Sequence, residues 1–87
     1  MDRPIELGSV VFSRAGRDKG RFFLVVEVVD EQFVKIADGD IRRLANPKLK
    51  KIKHLKVTGD KFEGIAEKLK NSATVYDAEI YSALRKI

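Results

Sequence analysis

Gly8-Ser-Val-Val-Phe-Ser-Arg-Ala-Gly-Arg-Asp-Lys-Gly-Arg21 is the stretch from which the fold of this chain is read. Val10, Val11 and Phe12 predict a short strand, and a second apolar run begins directly after Arg21 and continues to Val29. Between them lies a loop built on Gly16 and Gly20 and carrying Arg14, Arg17, Lys19 and Arg21. Glycine permits backbone conformations closed to other residues and lets a bulky partner come near. A glycine-bounded, cationic loop between two strands therefore predicts a surface that approaches a polyanion.

Outward from this hairpin, the chain reads as strands over 10–13, 21–29, 33–37, 41–44 and 52–57. Asp38-Gly39 is a reversing-turn signal between the third and fourth, and Asn46-Pro47 breaks the fourth. Five short strands with tight turns fit a small, strongly bent barrel. A competing reading makes residues 47–56 an amphipathic helix through Leu49, Ile52 and Leu55.

From Gly59 onward the period changes. Phe62, Ile65, Ala66 and Leu69 follow helical spacing, with Asp60 as the expected cap. Gly64 weakens that helix, and Asn71-Ser72 ends it. Thr74 and Asp77 resemble a capping box, and Tyr76, Ile80, Ala83, Leu84 and Ile87 then mark one side of a second helix. The expected architecture is thus β with a small α appendage: a five-stranded barrel over 1–58 and a helical hairpin over 59–87, packed on it. Phe22-Phe-Leu-Val-Val26 is apolar on both faces, so something must cover its second face. The helices are the favoured cover, and a partner protein is the other.

The 87 residues carry a net charge of +5, unevenly spread. Residues 1–59 hold 13 basic and 8 acidic side chains, whereas residues 60–87 hold 5 of each. From Arg42 to Lys56 there are seven cations (Arg42, Arg43, Lys48, Lys50, Lys51, Lys53, Lys56) and no acid. Such a block repels itself unless an anion neutralises it, and beside the first loop it strengthens the field of one rim. Six such cations on phosphates give a log–log salt slope of roughly −4 to −5. Replacing Arg42, Arg43 and Lys50 by alanine is expected to weaken polyanion binding while leaving the fold intact.

Other chemistries find little support. The chain has no cysteine, which excludes disulfides, thiolate catalysis and zinc-finger sites. Neither GxGxxG nor a Gly-Lys-Ser/Thr ending is present. His54 is the only histidine and has no partner for metal or acid–base work, so packing or a phosphate contact is its expected role. Asp38 and Asp40 are explained by turn chemistry. Phe12, Phe22, Phe23 and Phe33 fall at strand positions, mostly as core, with one free to stack on an unpaired base. No enzyme activity, cofactor or metal is expected. The polar start lacks the apolar centre of a signal peptide, and no apolar stretch reaches the roughly 20 residues of a membrane span. A cytoplasmic, monomeric protein away from membranes is expected.

Residues 7–57 resemble the KOW motif of ribosomal proteins and transcription elongation factors. The resemblance rests on Gly8 through Val29, Asp30-Glu-Gln-Phe-Val34, Ala37-Asp-Gly39, Arg42-Arg43 and Ile52-Lys-His-Leu55, in that order. Ala15-Gly-Arg17, Gly20-Arg21 and the later Lys-His-Leu are its most distinctive pieces. The chain is most similar to the archaeal and eukaryotic large-subunit ribosomal proteins of the fourteen-e group, and to short bacterial KOW-domain RNA-binding proteins. That resemblance implies an SH3-like barrel that binds ribosomal RNA. It makes Arg14, Arg17, Lys19 and Arg21 loop contacts, and Arg42, Arg43, Lys48, Lys50, Lys51, Lys53, His54 and Lys56 contacts along a neighbouring rim. The helical tail has no counterpart in the short barrel, and the long basic extension of ribosomal proteins is missing. A ribosome-associated or regulatory factor fits as well as a stoichiometric subunit. The rival reading is an interaction module for ribosomal or transcription proteins, with the apolar second strand and the helices as its interface.

Overall fold

The computed structural model describes residues 5–87; the first four residues of the polar start lie outside the described residues. Five strands run in order along the chain: β1 (Ser9–Ser13), β2 (Phe22–Val28), β3 (Phe33–Ala37), β4 (Lys48–Lys51) and β5 (Leu55–Lys61). A 3-10 turn, Ile52–His54, joins β4 to β5, and the helices α1 (Glu63–Lys70) and α2 (Asp77–Leu84) follow. The strands form one antiparallel sheet in the order β4-β3-β2-β1-β5. No ladder joins β4 to β5 among the described residues, so the sheet is not closed by hydrogen bonds into a barrel.

Alternation along the strands gives the sheet two buried faces. Val11, Phe23, Val25, Val34, Ile36 and Leu55 meet on one face, joined by Ile5 and Ile52. Val10, Leu24 and Ala37 lie on the other, against Ile65 of α1 and Ile80 of α2. Phe62, Leu69, Val75, Ala83 and Leu84 extend this second cluster. The doubly apolar Phe22–Val26 run is thereby explained: Phe23 and Val25 serve one core, Leu24 and Val26 the other.

The expected fourth strand is in the wrong place. Residues 41–44 form no strand; β4 is Lys48–Lys51 instead. The Asp38 carboxylate explains the loop, because its Oδ1 accepts from the backbone N–H groups of Asp40 and Arg42, both at 2.9 Å. The amides of Asp38 and Gly39 return bonds to the Arg42 carbonyl. These bonds close a tight loop and leave its backbone groups unavailable to a ladder. Leu44 then turns toward the helices, and its N–H donates to Asp77 Oδ1 at 2.7 Å.

The fifth strand is also shifted. Ile52–His54 is a 3-10 turn, and β5 continues to Lys61 through a register irregularity opposite Ser9 and Val11. The amphipathic helix over 47–56 is not formed. Asp60 lies inside β5, so Phe62 occupies the cap position of α1. Tyr76, not Thr74, caps α2, and its N–H donates to Glu79 Oε1 at 3.3 Å.

Candidate nucleic-acid interface

The loop between β1 and β2 is closed at its base by two bonds: Ser13 N–H to the Arg21 carbonyl and Gly20 N–H to the Ser13 carbonyl, both 2.9 Å. Gly16 and Gly20 sit at φ +82° and +88°, where an L side chain is strained. Two successive turns result, with Lys19 N–H on the Gly16 carbonyl and Arg21 N–H on the Asp18 carbonyl.

Three distant segments hold this loop. From β4, Lys50 reaches across the sheet, and its Nζ donates to the Ala15 carbonyl at 2.7 Å. From the 3-10 turn, the His54 carbonyl accepts the Arg14 N–H at 2.9 Å, and the Lys53 carbonyl accepts Arg14 Nη2 at 3.2 Å. From the 38–44 loop, Arg42 grips the Asp18 carboxylate through Nε (3.2 Å) and Nη2 (3.1 Å to Oδ2). Asp18 is only 3% exposed, so a buried carboxylate anchors the centre of the basic loop.

These tethers sort the twelve predicted contacts. Arg14, Arg17, Lys19, Arg43, Lys48, Lys51, Lys53 and Lys56 are exposed. Two of them bond neutral carbonyls, Arg14 as above and Arg43 Nε to the Asp40 carbonyl at 3.2 Å, and neither pairs with a carboxylate among the described residues. Arg21 is exposed but lies 4.0 Å from Asp38. Arg42 is neutralised by Asp18, and Lys50 is 8% exposed. His54 is half-buried and contributes its backbone carbonyl.

The Arg42–Lys56 run is not one face. Lys50 pairs with Val34 and Lys48 with Ile36, whereas Lys51 pairs with Phe33 and Leu49 with Lys35. Cross-strand partners share a face, so Lys48 and Lys50 point to one side of β4 and Lys51 to the other. The expectation that Arg42 and Lys50 can be deleted without touching the fold is therefore revised, since both are tethers. The loop, the 3-10 turn and Lys50 are joined by these bonds, while Lys51 belongs to the opposite face of β4.

Sequence reasoning missed what α2 adds. Tyr81 and Arg85 line an open cleft with Arg21, Phe22, Asp38 and Asp40, beside the base of the basic loop. The i, i+4 spacing of Tyr81 and Arg85 was the available signal: the guanidinium lies 5.4 Å from the ring centroid, and Nη1 donates to the Tyr81 hydroxyl. No helix among the described residues is long and apolar enough to cross a membrane. No protein-family model matches the chain.

Proposed function

We propose that this chain is a non-enzymatic, ribosome-associated RNA-binding protein of KOW type, holding ribosomal RNA through its β1–β2 loop. The observation that carries this reading is the loop itself. Arg14, Arg17 and Lys19 are presented on a backbone tethered from three sides, with exposed Lys53 beside it. Pre-organised cations lose little freedom on meeting phosphates, and phosphate contacts position RNA without specifying its sequence. Arg42 and Lys50 act as supports for the loop in this scheme.

The same features favour an SH3-like barrel as the finer description of the fold. The order β4-β3-β2-β1-β5 leaves two edge strands, and a 3-10 turn of three residues joins them. The Lys50–Ala15 and Arg14–His54 bonds draw β4 and the turn toward β1, in the direction of closure. Exposed Val28, Val29 and Leu49 support the second reading, a docking module for proteins of the translation or transcription machinery.

Salt separates the two readings. Wild-type protein and an Arg17→Ala/Lys19→Ala/Lys53→Ala variant are titrated with a labelled ribosomal RNA duplex at several salt concentrations. Three lost phosphate contacts should reduce the magnitude of the log–log slope by about two to three. An unchanged slope and affinity would remove the loop from the mechanism. Sedimentation with ribosomes that persists in high salt would favour the protein-docking module.

A further inference from the structure

We infer that the cleft between α2 and the base of the β1–β2 loop receives one unpaired guanine of the bound RNA, an inference that rests on the RNA-binding reading. The cleft is lined by Arg21, Phe22, Asp38, Asp40, Tyr81 and Arg85. Its aromatic members are unusually open, with Phe22 39% and Tyr81 40% exposed. Phe22 is held edge-on by Phe12, with ring centroids 5.0 Å apart, and Arg85 lies beside the Tyr81 ring. Aromatic rings and guanidinium planes are the surfaces on which splayed-out bases stack.

The two carboxylates decide which part of a nucleotide enters. Asp38 is occupied, since its Oδ1 accepts the Asp40 and Arg42 amides and its Oδ2 faces Arg21. The exposed Asp40 carboxylate has no ion pair and accepts no hydrogen bond from a charged side chain among the described residues. An acid there repels a phosphate but accepts from N–H donors. Guanine offers it two adjacent donors on its Watson–Crick edge, whereas uracil offers one, flanked by carbonyls. The base therefore enters the cleft, and its phosphate stays on the Arg21 side, continuous with Arg17 and Lys19.

The test uses the full chain and three RNA duplexes of equal length: fully paired, with a single-uridine bulge, and with a single-guanosine bulge. The guanosine bulge should bind about tenfold more tightly than the paired duplex, with the uridine bulge between. Tyr81→Ala should bring all three to the affinity of the paired duplex, whereas Tyr81→Phe, which keeps the ring, should retain the order. Asp40→Asn should erase the preference for guanosine over uridine. Any wild-type profile in which the guanosine bulge is not the tightest ligand overturns the inference while leaving RNA binding standing. Survival of the preference in Tyr81→Ala overturns it too. Binding to none of the three overturns both.

Discussion

Lys50 shows how one side chain serves a site it does not enter. Its stem lies on the face of Val34, the residue as a whole is buried, and its ammonium is spent on the Ala15 carbonyl. A charge-assisted bond of this kind contributes about 1.5–3 kcal/mol, partly offset by the cost of taking the ammonium out of water. Lys50→Met keeps the stem and removes the bond, so global stability should change by no more than about 1 kcal/mol. Locally the effect is larger, because the loop loses a tether. Amide exchange in residues 15–20 should accelerate about tenfold in Lys50→Met and stay unchanged in Lys51→Met, which removes an exposed charge. Equal exchange in both variants would show that Lys50 is no tether. Nothing in the sequence separates these two lysines. The difference comes from partners 35 residues away for Lys50 and 24 away for Arg42, a long-range pairing that charge counting does not see.

At the scale of elements, the 38–44 loop and α2 are one joint. Gly39 has φ +77°, and a Cβ there would stand 2.2 Å from the Asp77 carbonyl oxygen and 3.0 Å from Tyr81 N. Both obstacles are helix backbone, so a side chain must push α2 away. Gly39→Ala should cost about 3 kcal/mol in urea unfolding, combining overpacking with a left-handed backbone; a loss under about 1 kcal/mol would mean the joint yields. The two helices are linked by Lys68 Nζ to Glu79 Oε2 at 2.8 Å. This hydrogen bond, chiefly, holds the Glu79 carboxyl below the ordinary glutamate range. A depressed carboxyl contributes stability above its unfolded pKa and loses it as pH falls through the folded value. Thermal melts should therefore show Lys68→Met slightly below wild type at neutral pH, with the gap closing in strong acid. A gap that persists in acid would assign the loss to packing of the lysine stem. Apolar runs announced β1, β2 and β3. The sequence hid β4, because lysines are poor strand formers, and its pairing with β3 is a tertiary preference. The caps of both helices were misplaced because Asp60 is drawn into β5 and Asp77 is engaged by Leu44.

For the whole molecule, the division of charge follows the division of labour. The neutral C-terminal third covers the Val10–Leu24–Ala37 face, and the basic two-thirds carry the exposed loop. The helices are thus part of the core, and the doubly apolar β2 was the sequence signal for them. A chain ending at Lys61 should expose that face, bind a hydrophobic dye and lose its cooperative thermal transition. A sharp, dye-silent melt would show that the sheet folds alone. The cations of the loop could be named from the sequence, but their sorting into exposed and paired side chains could not, because it depends on Asp18 and Asp38 being folded against them.

β4 lies at the end of the sheet, with its outer backbone edge unladdered among the described residues, and its sequence is Lys-Leu-Lys-Lys. An unpaired edge is a template on which another chain can add itself, and lysine is the residue that most often prevents this. Lys48 and Lys51 thus guard against self-association, beside an exposed Leu49 that would otherwise invite it. Neutralising them to test the proposed RNA binding would also unmask a sticky edge, so any loss of binding in such variants has to be separated from oligomer formation.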